Sequence, residues 1–131
     1  MSRLLIDTNI YVAFLRGDPA VVDLLGRAEK IVLCSVVIGE LLAGFRIGTR
    51  ESQNRQLLET FSANTRVGTG SHNSDTAEFY AGIFAQLKKK GRPIPTNDMW
   101  IAASAMQSGL TMCTRDAHFE NIDGLLIRRP D

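Results

Sequence analysis

Leu4-Leu5-Ile6-Asp7-Thr8-Asn9-Ile10-Tyr11-Val12-Ala13-Phe14-Leu15-Arg16 is the stretch on which the reading of the fold turns. Leu4 to Ile6 is apolar without polar alternation, the character of a strand buried on both faces. From Thr8 to Arg16 the spacing changes, and Ile10 and Phe14, with Val12 and Leu15, recur at helical intervals. The change of period falls at Asp7, which by itself is best explained as the N-cap of the helix that follows.

The same alternation continues outward. Asp18-Pro19 opens a helix through about Ala28, with Pro in its favoured first turn. Ile31 to Cys34 reads as a second buried strand, and Ser35 as the cap of a helix from Val36 to about Ile47. A polar helix covers roughly Glu51 to Ala63 and a long one Asp75 to Lys90; between them Gly68-Thr69-Gly70-Ser71-His72-Asn73-Ser74-Asp75 reads as a surface loop. After the extended Pro93-Ile94-Pro95, Thr96 or Asn97 caps a helix through Gln107 that stops at Ser108-Gly109. Leu110 to Cys113 and Leu125 to Ile127 are the last strands. Strands alternating with helices predict an α/β fold, a parallel sheet between two layers of helices. Without repeats or linker-like stretches, residues 1–131 are expected to form a single domain with its own core.

Composition narrows the function classes. A net charge of +1 lacks the strongly basic signature of a generic nucleic-acid binder, although the distribution of charge matters more than its total. No apolar run is long enough to cross a bilayer, and Leu4 to Ile6 is too short for the core of a signal peptide, so a soluble, cytoplasmic protein is expected. Cys34 and Cys113, each inside an apolar run, read as buried reduced thiols. Lys88-Lys89-Lys90-Gly91-Arg92 fits the cationic end of a helix before a terminating Gly.

Four acids stand in marked places. Asp7 and Asp116 follow strands, while Glu40 and Asp98 sit in helices that follow strands. Each has an ordinary reading: a cap, a turn residue, or a charge suited to a helix dipole. Yet Asp98 shares its helix stripe with Ile101, Ala102 and Ala105, and Glu40 lies among Val36, Val37, Leu41 and Gly44, where an unpartnered carboxylate is uncomfortable. In an open parallel sheet all four positions gather at the carboxyl edge, where ligands bind. No Lys or Arg adjoins Asp7, Glu40 or Asp98, and Arg115 next to Asp116 would project differently. Converging carboxylates repel unless a cation enters, and oxygen-only donors select a hard ion, Mg²⁺ or Mn²⁺. Such ions serve phosphoryl chemistry.

The segments Leu5-Ile6-Asp7-Thr8-Asn9, Ser35-Val36-Val37-Ile38-Gly39-Glu40-Leu41, Asn97-Asp98-Met99-Trp100-Ile101-Ala102-Ala103 and Thr114-Arg115-Asp116, in this order, resemble the PIN-domain nucleases. Within that family they are similar to the VapC-type toxins of prokaryotic toxin–antitoxin pairs. The resemblance implies a PIN-like three-layer sandwich with a central, mostly parallel sheet. It also implies divalent-metal-dependent endonucleolytic cleavage of RNA, homodimerisation, and inhibition by a cognate antitoxin. Asp7, Glu40, Asp98 and Asp116 become the metal ligands, and Thr8 and Thr114 the supporting hydroxyls. In many relatives an Asn follows the Thr-Arg pair and the acid comes later; here Asp116 holds that slot, and Glu120 is the alternative fourth acid.

Other residues carry less. His118 reads as a surface or half-packed histidine, and His72 has no assigned role. Trp100 faces away from the Asp98 stripe by helical phase and reads as core or dimer surface. Arg46, Arg50 and Arg55 fit solvated helix faces. Two other functions compete with a ribonuclease: a phosphoacceptor signalling domain, and a non-catalytic module that binds RNA or protein. The first would want a second acid beside Asp7 and a lysine at the sheet edge, and Lys30, Lys88, Lys89 and Lys90 are poorly placed for that. The second leaves an unneutralised acid set without a use.

Overall fold

Leu4, Leu5 and Ile6 are completely buried in the computed structural model, which describes residues 2–131. They form strand β1 (Arg3–Ile6), the middle of a sheet in which Leu5 pairs with Val32 on one side and Met112 on the other. The remaining strands are β2 (Lys30–Cys34), β3 (Val67–Gly70), β4 (Thr111–Cys113) and β5 (Ile127–Arg128). Every pairing is parallel and the order is β3-β2-β1-β4-β5. Six helices connect them: α1 (Thr8–Leu15), α2 (Pro19–Arg27), α3 (Ser35–Ile47), α4 (Glu51–Ser62), α5 (Ser74–Lys90) and α6 (Thr96–Gln107). The fold is therefore the α/β sandwich expected from the alternation of periods, with an all-parallel sheet.

The chain runs outward from β1 to β2 and β3, then returns past β1 to β4 and β5. With right-handed crossovers, this reversal sets α5 and α6 on the opposite face from the earlier helices. It also opens a crevice beyond the carboxyl ends of β1 and β4, the switch point at which such sheets bind ligands. The core is apolar on both sides of the sheet, with Leu25, Leu33, Ile83 and Ile101 among its fully buried side chains. A short 3-10 turn (Ala117–Asn121) follows β4, and Phe119, 1% exposed, anchors it in that core. Both cysteines are buried free thiols.

Several local expectations are corrected. Gly68, Thr69 and Gly70, read as the start of a surface loop, belong with Val67 to the edge strand β3. An edge strand needs few apolar side chains, and here parallel pairing with β2 supplies what Val67-Gly68-Thr69-Gly70 lacks in propensity. Ser35 is the first residue of α3 and does not cap it; its hydroxyl donates to the Gly70 carbonyl at 3.0 Å and so ties β3 to the end of β2. Helix α6 begins at Thr96 behind Pro95, and no side chain caps it. Helix α5 starts one residue earlier than expected, because Asn73 and Thr76 form a reciprocal capping box.

Phe119 links core packing to the turn that carries Asp116 and His118. Phe119→Ala is expected to cost about 3–5 kcal/mol in urea unfolding, the usual cost of emptying a buried aromatic site. A cost below about 1 kcal/mol would show that the ring does not anchor this turn.

Candidate metal centre

Asp7 stands at the carboxyl end of β1 with only 7% of its surface exposed. Its Oδ1 accepts the Ile10 amide at 2.9 Å and caps α1, as its position predicts. Its Oδ2 accepts the Thr114 hydroxyl at 2.5 Å. The contact follows from sheet register: Ile6 pairs with Cys113, so the residues just beyond, Asp7 and the fully buried Thr114, lie side by side. Thr114 Oγ1 in turn accepts the Asp116 amide at 3.0 Å. Burial pushes the Asp7 carboxyl above its usual range, against the two hydrogen bonds, and the charges of Asp98 and Asp116 push the same way.

Glu40 is half-buried on α3. Its Oε1 accepts the Thr8 hydroxyl at 2.6 Å, and its Oε2 accepts a long hydrogen bond, 3.4 Å, from the Asn97 amide group. Helix α3 is thereby tied to the first residues of α1 and α6. Asp98, in the first turn of α6, is half-buried, and burial raises its carboxyl above the ordinary value. His118 lowers it, while Glu40 and Asp116 raise it further. Asp116 is exposed, and its Oδ1 accepts the His118 amide at 3.1 Å, capping the 3-10 turn.

The tightest group is Asp98, Asp116 and His118, which offer donor atoms within 4.8 Å of one another. Asp7 and Glu40 are outside that group but are linked to it through the two threonine hydroxyls, through Asn97, through the charge of Glu40 on Asp98 and through the charges of Asp98 and Asp116 on Asp7. Glu120, the alternative fourth acid, is exposed on the 3-10 turn and lies outside it too. Both threonines read as supporting hydroxyls hydrogen-bond a site carboxylate. His118, read from the sequence as a surface or half-packed residue, lies between two of the acids: Nε2 is 2.9 Å from Asp98 Oδ2 and Nδ1 is 3.0 Å from Asp116 Oδ1. The available signal was its place two residues after Asp116 and directly before an apolar residue that pulls the turn inward. Asn97, read only as a possible cap, points its amide at Glu40 instead. Trp100 is half-buried and stacks between Tyr80 and His72, at centroid separations of 4.2 and 5.6 Å.

Among the described residues no Lys or Arg forms an ion pair with any of the four acids. Arg115 turns away, with its guanidinium on Asp18 at 2.7 Å and on Asp131 at 2.8 Å. Oxygen-rich donors, mutual repulsion and a raised buried carboxyl fit a divalent cation.

A parallel sheet that reverses its strand order and carries acidic side chains beyond its carboxyl edge is a scaffold that suits a divalent cation and a phosphate ligand. A profile of the PIN domain matches residues 4–125, and the chain belongs to the PIN-domain family. It is 27% identical over 122 residues to ribonuclease VapC5 of Mycobacterium tuberculosis, covering 91% of this chain and 87% of that one. It is 28% identical over 128 residues to the tRNA(fMet)-specific endonuclease VapC of Shigella flexneri, covering 95% and 96%. The crystal structure of VapBC2 from Rickettsia felis, bound to a promoter DNA fragment, superimposes with a TM-score of 0.84 at 25% identity over 96% of this chain and 97% of that one. Divalent-metal dependence is a general property of ribonucleases of this family.

The raised Asp7 carboxyl has a thermodynamic consequence. The folded state keeps this proton in a pH window where the unfolded chain, titrating near 3.8, has released it. Stability is therefore lost as pH rises from the unfolded value through the folded one, and the whole penalty is present above it. Asn at this position can still cap α1. In EDTA, Asp7→Asn should melt at or above the wild-type temperature near pH 7, and its advantage should vanish below about pH 4. A variant clearly less stable near pH 7 would show that the charged carboxylate stabilises the fold.

Proposed function

We propose that this chain is a divalent-metal-dependent endoribonuclease, the toxin of a toxin–antitoxin pair, in which Asp7, Glu40, Asp98 and Asp116 hold Mg²⁺ or Mn²⁺. The observation that supports the proposal is an acidic edge without a Lys or Arg partner, Asp98 and Asp116 close together and Asp7 and Glu40 linked to them through hydrogen bonds, on a fold shared with VapC ribonucleases. Held by these residues, such an ion would supply Lewis acidity, lowering the pKa of a water and polarising a phosphate. The protein's own part is orientation. The Ile10 amide and the Thr114 hydroxyl fix both oxygens of Asp7, and Thr8 fixes Oε1 of Glu40. Glu40 Oε2 carries only a long 3.4 Å contact from Asn97, which leaves it able to take the proton of an attacking water. The water oxygen would then bond to phosphorus as the P–O bond to the ester oxygen breaks, and the leaving oxygen would take up a proton from solvent, Glu40 later returning its own to water. A phosphoacceptor domain is disfavoured by the lysines: Lys90, for example, is committed to Asp123 at 2.6 Å.

The same reading covers the remaining expectations: one nuclease unit over residues 1–131, at work in the cytoplasm. No described helix is long and apolar enough to cross a membrane. The expected homodimer has a candidate face on α5, where Phe79 and Phe84 stay exposed. For the antitoxin, a cleft of about 380 Å³ lies between α1, α2 and α4, and Leu15, Val22 and Leu57 on its rim are 40–49% exposed. An apolar cleft between helices suits the apolar face of a partner helix.

Asp7→Asn, Glu40→Gln and Asp98→Asn should each lower metal-dependent RNA cleavage by at least about 10²-fold, and EDTA should silence the wild type. Full activity in purified Glu40→Gln would refute the four-acid site. Leu57→Glu should leave cleavage intact while blocking neutralisation by the co-encoded antitoxin; unaltered neutralisation would move that contact elsewhere.

A further inference from the structure

A role as a counter-ion for Asp98 does not account for the position of His118. Its Nε2 is 2.9 Å from Asp98 Oδ2, yet the pair lacks hydrogen-bond alignment and leaves Nε2 buried without a partner. A buried polar nitrogen without a hydrogen bond is costly and calls for another occupant. The oxygen and nitrogen are close together without pointing at each other, the relation of two donors that share a third atom. Neighbouring donors around a six-coordinate ion with bonds of about 2.0–2.1 Å stand roughly 3 Å apart. Asp116 supplies the third donor of the group, and its Oδ1, by accepting the His118 amide, fixes the backbone that presents the ring.

We propose that His118 is itself a metal ligand, through Nε2, beside Asp98 and Asp116. The centre then carries a mixed nitrogen and oxygen donor set that favours Mn²⁺ over Mg²⁺. Imidazole shifts a carboxylate site away from the hardest ions towards first-row transition metals, and Mn²⁺ still tolerates an oxygen-rich shell. The inference rests on the metal-dependent reading above and goes beyond it by naming a ligand that the four-acid set lacks.

The test uses Mn²⁺ alone as the probe. In pulsed electron paramagnetic resonance of the full chain with ¹⁵N-labelled histidine, bound Mn²⁺ should show coupling to one imidazole nitrogen. That coupling should vanish in both His118→Ala and His118→Gln. Calorimetric titration should show Mn²⁺ affinity falling roughly 10–100-fold in both variants and Mg²⁺ affinity falling much less. Because His118 is part-exposed, the variants should fold; coincident far-ultraviolet dichroism checks this. Mn²⁺ bound by the wild type without nitrogen coupling would overturn the histidine ligand and leave the acidic centre standing. No Mn²⁺ or Mg²⁺ binding by the wild type would overturn both.

Discussion

The hydrogen bond from Thr114 to Asp7 joins positions 107 residues apart, and the geometry of the site descends from it. It crosses from the end of β4 to the end of β1, the two strands that flank the switch point. The same hydroxyl accepts the Asp116 amide, so one buried oxygen sets two acids. From Asp7 the order passes along the backbone to Thr8, whose hydroxyl holds Glu40, and on to Asn97 at the start of α6, next to Asp98. Four acids on four different elements are thus linked by a chain of polar contacts, the longest of them the 3.4 Å one from Asn97. The first of these contacts exists because parallel pairing aligns β1 with β4. Side chains held in this way need little reorganisation when they bind an ion, which is what a metal site asks of its scaffold.

That order opposes the electrostatics. Burial and the neighbouring carboxylates both raise the Asp7 carboxyl, and Asp98 is raised by burial and by Glu40 and Asp116. The apolar core beneath, from Leu4 to Phe119, supplies the stability that such a site spends. The thiols nearby do not compete for a metal. Burial pushes Cys113 up to about 12, with the charge of Asp7 acting in the same direction, and burial also raises Cys34. Both stay protonated at neutral pH and behave as small apolar side chains. Sulfur is thereby excluded from a donor set that oxygen dominates.

Apolar runs and their change of period made the fold legible, because strands buried on both faces leave an unbroken hydrophobic signature. Val67-Gly68-Thr69-Gly70 was illegible for the converse reason. Its strand character comes from pairing with β2 and from the Ser35 hydroxyl, both remote in sequence. The acids were legible only jointly, since each has an ordinary use and Asp7 in fact performs its ordinary one, capping α1 while facing the site. His118 was only faintly legible: its place two residues after Asp116 hinted at the site, but its neighbour Asp98 lies on another element, and no local spacing reports the approach of α6 to the turn after β4. Asn97 was hidden in the same way: a helix start explains an Asn well enough that its reach to α3 leaves no trace in the sequence.

Arg115 shows how the surroundings keep the acid cluster negative. It is covalently next to Asp116, and a guanidinium turned inward would satisfy the carboxylates without any metal. Asp18 prevents this by taking both guanidinium nitrogens, at 2.7 and 3.2 Å, and Asp131 adds a further contact at 2.8 Å. The paired fork is the geometry in which Arg binds a carboxylate best. The Arg115 hydrogen bond, more than any other cause, holds the Asp18 carboxyl below its ordinary value. Asp18 is itself pinned, because the same carboxylate caps α2 through the Ala20 and Val21 amides. A helix start therefore sequesters the nearest strong cation, and the divalent-metal reading depends on that diversion as much as on the acids. With Arg115 free to swing inward, the four carboxylates would have a cation built into the chain and no call on one from solution.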